Sequence, residues 1–318
     1  MKTILFHRNF RVFSGGHLKV WDYFQHTKAS GIFEPVIYMT PGSLRDTSNP
    51  WVVAQEEISN AWKPNAADAL FLGGMDWLAV PEHLQMPTIN LIQGICHADP
   101  TDPRYNFLKR PALRICVSQQ VSDAILSTRK VNGQVLTIPA GLGTDAFPAP
   151  ALQRDIPLLI AGLKQPELAI ELSKILSTRG VESVCLTQQI PRVEFLGMLG
   201  RAGATLFLPL HGEGFYLPAL EGMALGTLVV CPDSVGNRDF CIHEINCLQP
   251  EYEINSLVAL SLQAVDQIQK KSCNKMIDQG IETARIHSLD RERDHFHQAL
   301  QNWMQEFFNL APSNRTIG

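Results

Sequence analysis

Residues 207–248 read FLPLHGEGFYLPALEGMALGTLVVCPDSVGNRDFCIHEINCL and contain the clearest structural pattern of the chain. The apolar residues up to Leu208 predict a buried strand, and the glycines on both sides of Glu213 predict a loop after it. A helix is expected to begin near Pro218, because the first helical position needs no N–H donor. The apolar residues 227–231 predict the next strand, so the segment has the strand–helix–strand order of a βαβ unit.

Two carboxylates, Glu213 and Glu221, make this segment a candidate binding site. Ligands of open parallel sheets bind at the carboxyl ends of the strands, where free N–H groups of a helix N-terminus attract phosphate. Glu213 lies in the predicted loop and Glu221 in the predicted helix, so each could accept hydrogen bonds from a different part of one polyhydroxylated ligand. The structural alternative is that Glu213 is a helix-dipole acid and Glu221 a solvated helix residue. The two glutamates together favour the binding site.

The alternation of strands and helices extends in both directions from this segment. Short apolar runs bounded by glycine, proline or polar residues are typical of buried parallel strands. In the first half of the chain such runs lie at residues 3–6, 33–38, 69–72, 88–92, 114–117 and 134–138. In the second half, strands are predicted at 158–161, 183–186 and 205–208, and helices at 167–178, 192–201 and 218–225. The pattern predicts two doubly wound α/β domains in series.

Length and local composition support two domains. The chain has 318 residues, about twice the length of a typical domain. Glycines and prolines crowd residues 140–157 with little periodicity, which indicates a linker. We therefore predict one domain at residues 1–150 and a second at 151–290. Near the end of the chain an amphipathic helix is predicted over residues 290–310, with one apolar face formed by Phe296, Leu300, Trp303 and Phe307.

Composition and charge exclude several classes of protein. Hydrophobic residues make up 45% of the chain and charged residues 18%, as in soluble globular proteins. The net charge of -4 argues against nucleic acid as a partner, because nucleic-acid-binding proteins present a basic surface. The seven cysteines contain no C-x-x-C pair, which argues against a zinc site and favours a reducing, cytoplasmic location. No signal peptide or membrane-spanning segment is expected, and membrane contact is at most peripheral.

Residues 213–226, EGFYLPALEGMALG, resemble the central motif of glycosyltransferase family 4, a family of retaining GT-B enzymes. The family motif has the form E-G-F-G-x-P-x-x-E-A-M-A-x-G. Residues 236–239 (GNRD) and 246–248 (NCL) resemble the segments that follow it. Three further segments show weaker similarity, namely SGG at 14–16, RICVS at 114–118 and IPAGLGTDAF at 138–147.

The resemblance implies a GT-B fold. In this fold two doubly wound Rossmann-like domains face each other across a cleft. The C-terminal helix, here residues 291–318, would return to the N-terminal domain. The first domain would then bind the acceptor and the second would bind a nucleotide sugar.

The resemblance also implies roles for individual residues. Glu221 would bind the ribose hydroxyls of the donor nucleotide, and Glu213 would hydrogen-bond the transferred sugar. The other donor-binding positions would be Gly15, Gly16, Gly214, Phe215, Tyr216, Leu217 and Arg238. Among these, the backbone N–H groups of residues 215–217 would cradle the sugar or the diphosphate. His97 lies in the loop where the family often places a sugar-contacting histidine; the alternative is an ordinary solvated histidine.

The chain departs from the family pattern after the first strand of the second domain. Family members carry G-R there and a downstream K-G, whereas residues 161–168 read AGLKQPEL. Lys164 is the candidate for the cation that stabilises the departing diphosphate, assisted by Arg238 or Arg8. The alternative is that Lys164 is a solvated loop lysine. Tyr216 replaces a family glycine, and we expect it to narrow the pocket or to stack on a ligand.

The function implied is transfer of a sugar from a nucleoside-diphosphate sugar to a saccharide, lipid-linked or protein acceptor. The resemblance implies retention of anomeric configuration, with no metal and no other cofactor. The competing hypothesis is a catalytically degenerate GT-B protein that binds nucleotide or carbohydrate and acts as a regulator or scaffold. The altered segment 161–168 motivates that hypothesis, whereas the presence of both glutamates favours the enzyme. A Rossmann oxidoreductase is disfavoured because no G-x-G-x-x-G follows the first strand, and a serine hydrolase because G-x-S-x-G is missing.

Overall fold

A computed structural model describes residues 2–12, 14–145, 147–149 and 153–308 of the chain. The chain forms two compact units, one made of Met1–Ala140 with Leu289–Gly318 and the other of Gly141–Ser288. Each unit is built around a parallel sheet with helices packed on it. The predicted α/β class with two Rossmann-like units is confirmed.

The first unit has a sheet of seven strands within the described residues, in the order β3-β2-β1-β4-β5-β6-β7. Its strands are β1 (Lys2–Arg8), β2 (Phe33–Met39), β3 (Ile58–Ser59), β4 (Ala69–Gly73), β5 (Thr88–Ile92), β6 (Leu113–Cys116) and β7 (Val135–Thr137). Its helices are α1 (Gly15–Ser30), α2 (Pro50–Val53), α3 (Gln119–Ser127) and α9 (Leu289–Phe308). Every neighbouring pair of strands runs parallel, and the strand order reverses between β1 and β4.

Burial explains why the short apolar runs of this unit form strands. All five residues of β4 and all five of β5 are buried, as strands covered on both faces of a parallel sheet must be. Phe6 of β1 stacks on Phe71 of β4 with 4.5 Å between the ring centroids. These contacts place the hydrophobic core directly against the middle of the sheet.

Helix α9 packs against α1 of the first unit, as expected for the C-terminal helix of this fold. Phe296, Leu300 and Trp303 are buried on the face that the sequence predicted; the side chain of Phe307 lies outside the described part of the chain. The helix is also held by charge, because Lys19 Nζ of α1 lies 2.8 Å from Glu292 Oε2 and 2.7 Å from Asp22 Oδ2. All three charged side chains are buried.

The second unit has a smaller parallel sheet, ordered β11-β10-β8-β9 in the described residues. Its strands are β8 (Ile156–Ala161), β9 (Ser183–Leu186), β10 (Ala202–Phe207) and β11 (Leu228–Val230). Its helices are α4 (Pro166–Thr178), α5 (Arg192–Arg201), α6 (Leu217–Ala224), α7 (Ile254–Gln269) and α8 (Asn274–Ile286). The strand order reverses between β8 and β10, which places the switch point of the sheet at their carboxyl ends.

The boundary between the units differs from the predicted one. The sequence placed residues 141–150 in the first domain and the linker, but the start of this segment packs in the second unit. The Leu142 N–H donates to the carbonyl of His287, with 2.8 Å between nitrogen and oxygen. Leu142 also belongs to the buried core around Ile156 and Leu159, and Phe147 packs against that core. The apolar side chains of a stretch rich in glycine and proline therefore assign it to the second unit.

Candidate active site

The switch point of the second sheet brings together two of the predicted site residues. Strands β8 and β10 are neighbours in parallel register, with Ala161 opposite Phe207. The loops that follow them therefore leave the same edge of the sheet side by side. Lys164 lies in the first loop and Glu213 in the second, so their proximity follows from the topology.

Lys164 and Glu213 form an ion pair at this edge. The Lys164 Nζ lies 3.4 Å from Glu213 Oε1, and the two side chains are 52% and 21% exposed. Within the described residues, Oε1 of Glu213 is buried and makes no hydrogen bond. The same oxygen faces the Lys164 ammonium, so the carboxylate is held beside a cation at the carboxyl end of the sheet.

A close approach of backbone to helix shapes the Lys164 loop. Gly162 follows β8 directly, and a Cβ at this position would lie 2.1 Å from the Cβ of Ala169 in α4. Only glycine fits so near the helix. The Gln165 N–H then donates to the Gly162 carbonyl, and α4 begins at Pro166. This tight turn places Lys164 near the carboxyl end of β8.

Glu221 lies in α6, where its side chain is only 2% exposed. The helix begins at Leu217 with Pro218 in its first turn, as the sequence predicted for this region. Burial raises the pKa of Glu221 above its usual value, and the nearby Arg192 opposes this shift. The Arg192 Nη1 lies 2.6 Å from Glu221 Oε1, so the buried carboxylate has a cation from α5 beside it.

The loop after β11 supports the Glu213 loop from the other side. Gly236 has so little room that a Cβ there would lie 2.9 Å from the Glu213 carbonyl oxygen and 2.9 Å from the Tyr216 nitrogen. The Tyr216 N–H donates to the Gly236 carbonyl over 2.8 Å, and the Val235 N–H donates to the His211 carbonyl over 3.1 Å. The loop that contains Glu213 is therefore fixed by backbone contacts with the loop after β11.

Two of the backbone N–H groups that were predicted to bind the sugar or the diphosphate donate hydrogen bonds within the protein. The Tyr216 N–H bonds Gly236, as above, and the Leu217 N–H donates to the Phe215 carbonyl over 3.2 Å. Gly214 is buried and Phe215 partly buried in the same loop. A ligand that uses the N–H of Tyr216 or Leu217 has to displace one of these hydrogen bonds.

Tyr216 is a core residue and does not line an open pocket. Its side chain is 5% exposed and meets Phe207 edge-on, with 6.1 Å between ring centroids. The expected stacking of Tyr216 on a ligand is therefore not what this geometry provides. Gly222 makes room for the same ring cluster, because a Cβ there would lie 2.8 Å from Phe207 Cζ.

Arg238 lies in the loop after β11 and is bound by Asp233. Its Nε and Nη2 donate to the two Asp233 carboxylate oxygens over 2.9 Å and 2.5 Å. This contact lowers the pKa of Asp233. The Arg238 side chain is 43% exposed, so it can reach an anion only by sharing or leaving Asp233.

The first unit holds Gly15, Gly16 and Arg8 at its own switch point, between β1 and β4. Gly15 and Gly16 begin α1, which Ser14 caps by accepting the His17 N–H. Gly16 and Arg8 line a cavity of about 280 Å³ at the ends of β1 and β4. The Arg8 guanidinium is buried against Asp76 and also donates to the Gly73 carbonyl. It is thus a tightly held group of the first unit.

His97 follows β5 in the first unit and is not the solvated histidine of the alternative interpretation. It is 3% exposed, and its Nδ1 lies 3.1 Å from the Gly94 carbonyl oxygen. Burial lowers the pKa of His97 to about 4, so the ring is neutral near pH 7. The Nδ1–H donates to Gly94, which leaves Nε2 as an acceptor; within the described residues Nε2 makes no hydrogen bond.

The segment that contains these loops matches a family model. Residues 144–283 match the model described as glycosyl transferases group 1. This segment is a glycosyl transferases group 1 domain. The resemblance that the sequence predicted is confirmed. No curated protein sequence matches the chain.

Solved structures share the fold of the whole chain. HepE from Anabaena, in complex with UDP-glucose, has a TM-score of 0.73 and 14% sequence identity, covering 95% of this chain and 100% of its own. Sucrose-phosphate synthase from Thermosynechococcus elongatus has a TM-score of 0.70 and 13% identity, covering 96% and 100%. A glycosyltransferase from Rickettsia africae has a TM-score of 0.70 and 13% identity, covering 97% and 99%. These similarities confirm the GT-B fold.

Within the group 1 domain the structure brings Lys164 to Glu213 and adds a residue that the sequence analysis missed. Arg192 begins α5, and its partner Glu221 lies on α6. The sequence predicted both helices, but no spacing rule connects a residue at the start of one helix with a buried residue of the next. An arginine directly after a loop at a strand end is the only available signal, and many exposed arginines share it.

No three His, Cys, Asp or Glu side chains of the described residues group closely enough to hold a metal ion. In the same residues, none of the helices combines the length and the apolar character that crossing a membrane needs.

Proposed function

We propose that the chain is a retaining, metal-independent glycosyltransferase that moves a sugar from a nucleoside-diphosphate sugar to an acceptor. The observation that carries the proposal is the ion pair of Glu213 with Lys164 at the sheet switch point. A second, buried carboxylate, Glu221, follows Glu213 by eight residues. A partly exposed carboxylate beside a cation suits a sugar hydroxyl. A buried carboxylate nearby suits a second diol, such as that of ribose.

Each residue has a task in this proposal. Glu213 accepts a hydrogen bond from the transferred sugar, and Lys164 stabilises the negative charge that grows on the diphosphate as the bond to the sugar breaks. Glu221 accepts hydrogen bonds from the ribose. Neutral His97 offers an acceptor nitrogen to the sugar, because its buried ring is unprotonated at neutral pH.

The donor that we propose to test first is a uridine diphosphate sugar. HepE, which shares the fold, was solved with UDP and with UDP-glucose. We extend this only to the nucleotide class, and we propose a saccharide, lipid-linked or protein acceptor. We also propose a cytoplasmic location with peripheral membrane contact at most.

A binding experiment tests the nucleotide site. We expect one of UDP, GDP, ADP or CMP, or its sugar, to raise the melting temperature of the protein by mass action. The same ligand should give a smaller shift with Glu221→Gln, since a neutral amide accepts less strongly from ribose. No shift with any nucleotide would contradict the proposal.

A turnover experiment tests transfer itself. We expect slow hydrolysis or transfer of the donor that binds, and no change when EDTA is added. Glu213→Ala should abolish turnover, whereas Glu194→Ala, an exposed glutamate on α5, should leave it unchanged. Full activity of Glu213→Ala would overturn the assignment of Glu213.

A second candidate function is a degenerate GT-B protein that binds a nucleotide or carbohydrate and acts as a regulator or scaffold. Two observations favour it: Lys164 is half exposed, and Arg238 is bound by Asp233. This candidate predicts measurable nucleotide binding without turnover of any donor. Transfer by the wild-type protein would exclude it.

A further inference from the structure

The ion pair between Arg192 and Glu221 has no task in the proposed reaction. The Nη1–Oε1 distance is 2.6 Å, and the exposed fractions of the two side chains are 28% and 2%. Arg192 is the first residue of α5, directly after the loop that follows β9. Its side chain is thus partly open to solvent at one end and reaches a fully buried carboxylate at the other.

A buried carboxylate needs such a partner to stay ionised. Burial favours the neutral acid, whereas an adjacent guanidinium favours the carboxylate. The charge matters for recognition, because an ionised carboxylate accepts hydrogen bonds at both oxygens and a protonated one must donate from one of them. The contact with Arg192 is made through Oε1. It therefore fixes the orientation of the carboxyl group relative to the start of α5.

We propose that Arg192 is a positioning residue for the donor nucleotide, which holds Glu221 ionised and oriented so that it accepts from the ribose hydroxyls. The inference rests on the proposed function, in which Glu221 binds ribose. According to this inference, the site prefers ribonucleoside to 2′-deoxyribonucleoside diphosphates because Arg192 holds Glu221 in place. Arg192 itself does not touch the nucleotide.

The test compares Arg192→Gln with a matched control on the same helix. Arg201 is the last residue of α5 and forms an ion pair with Asp155; both side chains are 52% exposed to solvent. Affinities for UDP and 2′-deoxyUDP, or for the corresponding pair of the base that the thermal-shift panel selects, are measured by titration calorimetry between pH 5.5 and 8.5. The ratio of the two affinities cancels the titration of the ligand phosphates.

We expect the wild type and Arg201→Gln to prefer the ribonucleotide at every pH. In Arg192→Gln the preference should fall by about tenfold near neutral pH, and it should fall further as the pH decreases because Glu221 takes up a proton. An unchanged ratio and pH profile in Arg192→Gln would overturn the inference. Absence of nucleotide binding by the wild type would instead overturn the proposed function.

A double-mutant cycle with Glu221→Gln separates positioning from direct contact and also protects the test against misfolding. The double variant Arg192→Gln with Glu221→Gln replaces the charged pair by two neutral amides and leaves no buried charge unpaired. If Arg192 acts through Glu221, the double variant has the same affinity ratio as Glu221→Gln alone. A further tenfold loss in the double variant would show that Arg192 contacts the nucleotide and would overturn the positioning role.

Discussion

The Lys164 side chain is 52% exposed, so its pairing with Glu213 adds little to the stability of the fold. An exposed ammonium loses much of its attraction to a carboxylate through solvent and salt. The same exposure leaves the ammonium able to move toward a third group. We therefore expect the Lys164 ammonium to contribute to binding of the donor diphosphate more than to the stability of the fold.

Replacing Lys164 should separate activity from stability. We expect Lys164→Met to lower kcat for the donor by roughly 100- to 1000-fold, as for loss of one charge-stabilising group. The free energy of unfolding should change by less than about 1 kcal/mol, since the Lys164 side chain is half exposed and solvent screens the pair. Steady-state kinetics and urea unfolding check the two effects. Lys174→Met, an exposed lysine on α4, is the control and should alter neither.

His97 gives a prediction about pH. The pKa of the buried ring is lowered to about 4, whereas an unfolded histidine titrates near pH 6.5. Between these values the unfolded state binds the extra proton, so stability falls as the pH decreases, by about 1.4 kcal/mol per pH unit. We expect His97→Gln to remove this contribution below pH 6.5, whereas His83→Gln, at an exposed position, should not. Equal slopes of unfolding free energy against pH in the wild type and His97→Gln would contradict the burial of an uncharged ring.

The contact between Arg192 and Glu221 could not be predicted from the sequence. The positions of Glu213 and Lys164 in loops after strands, and of Glu221 in the following helix, could be predicted because strand ends, glycines and motif spacing are local in the chain. The contact of Arg192 with Glu221 depends on how α5 and α6 pack, which no local pattern encodes. The same holds for Tyr216, whose burial against Phe207 depends on the ring that faces it across the core.

At the scale of elements, the loop after β10, which contains Glu213, and the loop after β11, which contains Gly236, are held together by backbone contacts. Gly236 touches the backbone of Glu213 and Tyr216, and hydrogen bonds from Tyr216 and Val235 join the loops. Backbone atoms cannot move aside as a flexible side chain can. The position of the Glu213 carboxylate therefore depends on a residue in the loop after the next strand.

Adding one methyl group tests this dependence. Gly236→Ala should lower the free energy of unfolding by about 1–3 kcal/mol, because the Cβ overlaps backbone atoms in a packed site. It should also reduce turnover by displacing Glu213. Gly197→Ala in α5 is the matched control, since a Cβ there meets nothing within 4 Å and alanine favours helix. Thermal unfolding and kcat of both variants decide the question; a neutral Gly236→Ala would show that the loops can separate without cost.

Most elements could be predicted from the sequence, and two of those that were missed, β3 and α8, have a physical reason. The strand positions followed from apolar runs, because internal parallel strands must be apolar on both faces. β3 was missed since it has only two residues. α8 was not assigned because its buried residues are the small Gly280 and Ala284, which leave no stripe of large apolar side chains. α7 was not assigned either, although its buried Leu257, Val258, Ala264 and Val265 carry a helical period.

At the scale of the whole molecule, the first unit is discontinuous in sequence. Helix α9 is joined to α1 by the buried pair Lys19–Glu292, in which Asp22 also takes part. Two buried carboxylates near one ammonium are a costly arrangement unless all three groups are present. The charge of Lys19 therefore contributes strongly to the stability of the contact between α9 and α1.

Removing that ammonium should destabilise the first unit strongly. We expect Lys19→Met to lower the free energy of unfolding by about 3–5 kcal/mol, because Asp22 and Glu292 are left as buried like charges. Urea unfolding followed by tryptophan fluorescence measures the loss, and Trp303 of α9 is a local reporter. Lys270→Met, which breaks an exposed pair with Asp266, should cost less than about 0.5 kcal/mol. A loss below 1 kcal/mol for Lys19→Met would show that α9 is held mainly by its apolar face.

The return of α9 to the first unit sets an order of events during synthesis on the ribosome. Multidomain chains generally fold from the N-terminus as each domain emerges. Here the ribosome must make all of residues 141–288 before it reaches α9. At bacterial or eukaryotic speeds this delay is on the order of ten seconds. The second unit can therefore finish folding first, while the seven-stranded sheet waits with the α9-facing side of Phe71 and Tyr23 uncovered.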